Sequence, residues 1–317
     1  MKIIQSLEEI EKPFQNAAVT IGNFDGVHIG HQALFHATIE KAQEIRGTSV
    51  ALTFEPHPLR VLKPDGHPPL ITLYEQKCEL IERTGMDVLI CIPFNREFAA
   101  ISARSFVADL LVEKIGTRAI VVGKDYTFGR NREGNVDLLR RFSSEMGFEL
   151  VVLDWIQTLN GTAGRISSTR IRELVQQGRV GQARKLLGRW YQIRGTVARG
   201  RNRGGKLLGF PTANINLYDE LCPKTGIYAV TVEYAGNKYG GVANIGYSPT
   251  FGDHIFTVEV HIFDFDQQIY DQPIRVNFIE RLRDEKKFTS VEELARQIER
   301  DARQARRILA DLTDFKA

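Results

Sequence analysis

The chain has 317 residues, 43% of them hydrophobic and 26% charged, with a net charge of +3, which is enough for two ordinary globular domains. A charge this small names no partner. Three scattered cysteines (Cys78, Cys91, Cys222) with no C-x-x-C pair argue against a disulfide framework or a zinc site and suit a reducing compartment. No apolar run reaches the ~18–20 residues of a membrane span, and the opening MKIIQSLEEIEK, acidic early and without a long apolar stretch, does not read as a signal peptide.

From Ala17 to about Leu187, short apolar runs alternate with amphipathic stretches. AAVTI (17–21), TSVALTF (48–54), DVLICIPF (87–94), RAIVVG (118–123) and FELVVLD (148–154) predict strands. Their near-continuous apolar character is that of parallel strands buried on both faces. Between them, residues 31–45, 75–85, 102–116 and 136–147 keep helical spacing. The alternation predicts a doubly wound, Rossmann-like α/β domain over residues 1–187, with ligands outside the carboxyl ends of its strands. VQQGRVGQARKLLGR (175–189) predicts an inter-domain helix and linker. After Gly188 the character changes. YQIRGTVA (191–198), GIYAVTVEYAG (226–236), KYGGVANIGY (238–247), TVEVHIFDF (257–265) and PIRVNFIERL (273–282) are β-rich runs between turn residues. They predict a small antiparallel β-barrel or sandwich over residues 188–317. A last helix opens with Ser290 and Glu293 in capping-box spacing and is expected to cover one face or mouth of the barrel.

Between Gly161 and Lys206 stand twelve Lys or Arg residues and one acidic residue, Glu173. Such a band suits polyanions, either phosphorylated small molecules or nucleic acid. Only Trp190 and Tyr191 interleave with it as aromatic platforms, which weighs against nucleic acid.

GNFDGVHIGH (22–31) joins the first strand to the first helix. His28 and His31 flank Ile29 and Gly30, and the glycine permits close backbone approach. At a helix start both imidazoles are expected on one face, beside N–H groups that favour anions. Such a pair can hold a triphosphate and stabilise charge at an α-phosphorus. A metal pair and purely structural histidines stay open on these residues alone, although a zinc hydrolase would want a Glu where Ile and Gly stand. GRISSTRIRE (164–173) offers Ser167 and Ser168 as caps, with Arg165, Arg170 and Arg172 near the same helix start. It reads as a pyrophosphate clamp or as a capped, solvated basic helix.

GRNRGGKLLGFPTAN (200–214) matches G-x-x-x-x-G-K, but Leu207 stands where a P-loop needs a hydroxyl, Pro211 bars the following helix, and the surroundings are antiparallel β. It is therefore not a P-loop. Gly204, Gly205 and Gly209 still leave N–H groups to turn toward phosphates, and Arg201, Arg203 and Lys206 supply charge. Thr212 and Asn214 are expected on one face of a strand, where hydroxyl and amide oxygens suit Mg2+. A Gly-rich turn with polar strand residues explains the same letters. Glu259 shares a strand face with His261, but the pattern alone does not select it over Asp264 or Asp266.

GNFDGVHIGH resembles the H-x-G-H signature of the nucleotidylyltransferase superfamily, in the longer form of bacterial FAD synthetases. TFEPHP (53–58) and VVGKDYTFGRNREGN (121–135) extend that likeness, and GRISSTRIRE is similar to the superfamily's second nucleotide signature. LGFPTAN closely resembles the riboflavin kinase motif, with GGVANIGYSPTFG (240–252), VEVHIFDF (258–265) and LRDEKKF (282–288) in the expected order. Nearly the whole chain thus resembles the bifunctional riboflavin kinase/FAD synthetase (FMN adenylyltransferase) family. The resemblance implies two ATP-dependent steps, riboflavin to FMN and FMN to FAD. It implies His28 and His31 as catalytic residues of the second step. Gly22, Phe24, Asp25, Gly30, Gly123, Asp125, Arg165, Ser167, Ser168 and Arg172 would bind its substrates. Gly204, Gly205, Lys206, Gly209 and Pro211 would bind nucleotide in the kinase, Thr212 and Asn214 would ligate Mg2+ with ATP, and Glu259 would take the proton from the ribityl 5′-hydroxyl. Lys206 stands where many members carry Arg, which keeps the charge but loses the fork. Riboflavin, FMN and ATP are the implied small-molecule partners and the cytoplasm the implied compartment, with no membrane or nucleic acid and the oligomeric state open. A kinase with a degenerate first domain, a non-flavin nucleotidylyltransferase and a nucleic-acid-binding regulator are the rival readings. FAD formation from FMN, riboflavin phosphorylation and salt-sensitive RNA or DNA binding separate them.

Overall fold

The apolar runs of the first half form one parallel sheet. The computed structural model describes residues 1–155, 165–198, 210–215, 217, 220–248 and 255–312. They divide into two units, Met1–Ser168 and Thr169–Ala317. In the first, β1 (Lys2–Ile4), β2 (Ala17–Ile21), β3 (Ser49–Glu55), β4 (Val88–Pro93), β5 (Thr117–Gly123) and β6 (Glu149–Leu153) lie in the order β1-β4-β3-β2-β5-β6. All neighbours are parallel. β1 was not expected: it is three residues long and only Ile4 is buried, too short to show a period. The helices are α1 (Ile29–Glu44), α2 (Pro58–Leu62), α3 (Tyr74–Glu82), α4 (Arg96–Ala99), α5 (Ala103–Ser105), which runs into a wide π-helical stretch over Phe106–Ile115, and α6 (Val136–Met146).

Both faces of the sheet are covered, as the unbroken apolar runs require. Leu52, Ile90 and Ile120 pack with Phe106 and Leu110 on one face, while their neighbours Ala51 and Leu89 pack with Phe35 and Ile81 on the other. β2 has β3 on one side and β5 on the other, so the strand order reverses between β2 and β5. This is the switch point at whose carboxyl edge open α/β sheets leave a crevice.

The second unit begins at Thr169, inside α7 (Ser168–Gln176), and continues through α8 (Val180–Leu187). The single helix expected over 175–189 is broken, because Gly178 takes φ 76° between the two and Gly188, at φ 74°, ends the second. α8 packs on the strands of a closed antiparallel barrel. Its strands are β7 (Tyr191–Ala198), β8 (Ala213–Ile215), β9 (Gly226–Tyr234), β10 (Asn237–Ser248), β11 (Ile255–Ile262) and β12 (Pro273–Arg283), ordered β10-β11-β8-β7-β12-β9 with β9 closing on β10. Closure decides between barrel and sandwich. Buried Tyr191, Ile193, Tyr228, Val258, Val260 and Phe278 serve its core.

α9 (Val291–Ala310) starts at Ser290, whose Oγ accepts from Glu293 N. Glu293 returns the contact to Thr289 N instead of Ser290 N, so the capping box closes one residue early. Ala305 and Leu309 lay α9 over Ala229, Phe263 and Ile279, and buried Asp301 grips Arg283 of β12 at 2.6–3.1 Å. Among the described residues, no helix is long and apolar enough to cross a membrane.

Candidate active sites

β2 delivers Gly22 to the edge of the sheet, and the chain then turns tightly through left-handed Phe24 (φ 48°), Gly26 (φ 89°) and Val27 (φ 39°). Asp25 braces this turn. Its buried carboxylate accepts from Ile71 N at 3.0 and 3.2 Å and from Thr72 N at 3.1 Å. Its carbonyl accepts from Ser168 Oγ at 2.8 Å, and Thr72 Oγ1 accepts from Gly26 N at 3.0 Å. Asp25 therefore ties three segments together, and its side chain does not line the cavity beside the turn.

His28 stands at the N-cap of α1 and not within it; its Nδ1 accepts from His31 N at 3.2 Å. That position lets the two imidazoles stack, with centroids 3.6 Å apart and planes 17° from parallel. Phe24 meets His31 edge-on at 5.3 Å. The glycines make room for these rings: a Cβ on Gly30 would lie 3.1 Å from His28 Cε1, and one on Gly22 would lie 2.8 Å from Phe24 Cε1.

The stacked pair borders a cavity of about 570 Å³ above the carboxyl ends of β2 to β6. Gly22, Phe24, Gly30, Gly123, Asp125, Arg165, Ser167 and Ser168 all reach its wall, so the fold gathers most of the residues singled out for this site. Arg165 pairs with Asp125 and stands over the Trp155 ring at 4.8 Å, with Lys124 over the same ring at 3.8 Å. Ser168 is the first residue of α7, and its hydroxyl donates to the Asp25 carbonyl. Arg172 is half-buried on α7 in the second unit, not among the residues lining this cavity.

The sequence reading missed the cavity's other wall. Phe54, Phe94, Phe98, Phe106 and Phe128 form a chain of ring contacts at 5.6–6.3 Å, and Tyr126 stacks on Phe128 at 5.4 Å. Burial holds the Tyr126 phenol protonated well beyond its ordinary range. The available signal was aromatic residues just past strand ends, in FNREF and DYTF, which look like core letters when read alone. An aromatic wall facing imidazoles, guanidinium and backbone N–H groups fits a planar ring with an anionic tail.

In the barrel, β11 lies between β8 and β10. Val258 and Val260 are fully buried, so Glu259 and His261 share the outward face. Register sets Glu259 opposite Asn214 on β8 and opposite Asn244 on β10, a row of three polar side chains. Glu259 is half-buried, and burial pushes its carboxyl above the usual range. Asp264 is engaged elsewhere: it follows β11 in a turn at φ 54°, is held by Arg306 at 2.8–2.9 Å, and has its carboxyl drawn below the ordinary range by that hydrogen bond. Thr212 is exposed and stands one residue before β8, so the expectation of a shared strand face with Asn214 is not met by the strand itself. Pro211 offers its carbonyl at 2.9 Å from His261 Nδ1. Gly204, Gly205, Lys206 and Gly209, with Arg201 and Arg203, lie outside the described residues.

A doubly wound domain with a stacked histidine pair at its switch point, followed by a closed barrel with a carboxylate between two amides, defines a two-site nucleotide-dependent transferase. Residues 10–170 match the FAD synthetase family model and residues 187–309 the riboflavin kinase model. The chain belongs to the bifunctional riboflavin kinase/FMN adenylyltransferase family. It is 37% identical over 308 residues to the family's Escherichia coli K12 enzyme, covering 96% of this chain and 97% of that one. Against the Bacillus subtilis enzyme it is 37% identical over 309 residues, with 96% of each covered. A solved Streptococcus pneumoniae structure, named a macrolide-efflux protein, is similar with a TM-score of 0.87 at 33% identity, covering 96% of this chain and 99% of that one.

Proposed function

We propose that the chain makes FMN and then FAD, with the kinase in residues 188–317 and the adenylyltransferase in residues 1–187. In the first step the riboflavin 5′-hydroxyl attacks the γ-phosphorus of ATP, giving FMN and ADP. In the second an FMN phosphate oxygen attacks the α-phosphorus of another ATP, giving FAD and pyrophosphate. Neither step needs a covalent protein nucleophile, so positioning and charge stabilisation supply the rate.

The observation that carries the adenylyltransferase reading is the stacked His28–His31 pair on the rim of an aromatic-walled cavity. The flavin ring lies along the phenylalanine wall in this reading. His28, His31 and the first N–H groups of α1 face the triphosphate, and Ser167 and Arg165 support the phosphates from across the cavity. In the barrel, Glu259 accepts the proton of the 5′-hydroxyl as that oxygen attacks. Desolvation suits this role, because a carboxylate with a raised proton affinity is a better base.

Asn214 offers a neutral oxygen opposite the Glu259 carboxylate and Thr212 another just before the same strand, a donor set that fits Mg2+ with ATP. When bound, the ion would neutralise charge on the ATP phosphates. Gly204, Gly205, Lys206 and Gly209 keep their assignment to nucleotide binding in this reading. Soluble, phosphorylated substrates are consistent with a cytoplasmic enzyme. Incubation with riboflavin and Mg-ATP tests the whole reading: FMN should rise first and FAD follow at its expense, and the absence of either product would contradict it.

A further inference from the structure

Asn244 lies on β10 across Glu259 from Asn214, and the two-step reading gives it no task. Its neighbours Ala243 and Ile245 are fully buried, so by strand alternation Asn244 faces outward with Glu259. Its Oδ1 is nonetheless buried and has no hydrogen-bond partner among the described residues. Glu259, directly opposite it on β11, is half-buried. Buried acceptors are almost always paired in a folded protein, so an unpaired one beside a reactive carboxylate points to a donor brought by a ligand.

The charge around Asn244 selects among the ligands of the reaction. Gly246 is the next outward position on β10, and a Cβ built there would run into the Glu285 carboxylate. Asn244 is thus flanked by Glu259 on one side and Glu285 along the strand. Two carboxylates repel phosphates, which offer only acceptors. An ion held at Asn214 sits two strand spacings away, about 9.5 Å, with Glu259 between. The neutral hydroxyls of the ribityl chain are the donors that remain.

We propose that Asn244 binds the phosphate acceptor: its Oδ1 accepts a hydrogen bond from a ribityl hydroxyl next to the one that reacts, and so holds the 5′-hydroxyl at Glu259. This rests on Glu259 being the kinase base. The test uses the full chain with Asn244→Leu, which keeps the shape without the acceptor, and Asn244→Asp, which keeps an acceptor oxygen. Asn244→Leu should lower kcat/KM for riboflavin at least tenfold, mostly through KM, with KM for ATP and for Mg2+ unchanged and FAD formation from supplied FMN intact. Asn244→Asp should keep the riboflavin KM within a few-fold of the parent's. The proposal falls if Asn244→Leu stays within twofold of the parent, if KM for ATP or Mg2+ rises in place of that for riboflavin, or if Asn244→Asp loses riboflavin as fully as Asn244→Leu. Glu259→Gln, run alongside, separates the two ideas: full kinase activity in that variant would sink the base assignment itself.

Discussion

Glu259 binds its proton more tightly in the folded protein than in an open chain, since burial disfavours the charged form. For a carboxyl shifted this way the folded state takes up the proton first. Stability therefore falls as pH rises from the ordinary carboxylate range through the folded value, and the ionised group is a burden at neutral pH. Glu259→Gln should leave the barrel as stable or more stable by thermal unfolding, while riboflavin phosphorylation drops by about 100-fold or more. A clear fall in Tm would mean that the carboxylate is satisfied in the fold. The parent's kinase rate should decline on the acid side at a pH above the ordinary carboxylate range. His28 has two tasks, a cap and a ring, and two substitutions separate them. His28→Asn keeps a side-chain acceptor for His31 N, so it should lose FAD synthesis with little change in stability. His28→Ala should lose the same activity and about 1 kcal/mol more of stability, read by denaturant unfolding. The histidines were legible in GNFDGVHIGH, but their stacking was not, because it depends on His28 lying just outside the helix. Nor could VEVHIFDF distinguish Glu259 from Asp264, since only packing brings Arg306 to the latter.

At the level of elements, the turn after β2 keeps its left-handed residues because Asp25 anchors it to Ile71 and Thr72. Asp25→Ala would strand two buried N–H groups, a loss of about 2–4 kcal/mol. Chemical denaturation should show it, together with weakened FAD synthesis and an unaffected kinase. Unchanged stability would mean that other groups hold the turn. The parallel strands were readable from composition because both faces are covered, and the barrel strands from their turn residues. β1 was not, since three edge residues carry no period. The α7–α8 break was written in Gln177-Gly178-Arg179 but lay inside a stretch whose apolar spacing runs through it. The phenylalanine wall escaped for a different reason: a residue lining a cavity at a strand end has the same letter as one in the core. Asn214, Glu259's cross-strand partner, was placed by motif, whereas Asn244 became visible only once register aligned all three strands.

For the molecule as a whole, FMN is the product of one site and the substrate of the other, so the two activities should come apart cleanly under single substitutions. Separate family matches over residues 10–170 and 187–309 agree with that division. The most direct measurement gives riboflavin, FMN and Mg-ATP to two folded variants and follows FMN and FAD over time. His28→Ala should convert riboflavin to FMN and stop there, whereas Glu259→Gln should make no FMN from riboflavin yet still convert supplied FMN to FAD. Loss of both activities in either folded variant, or retention of both, would contradict the assignment of one reaction to each site.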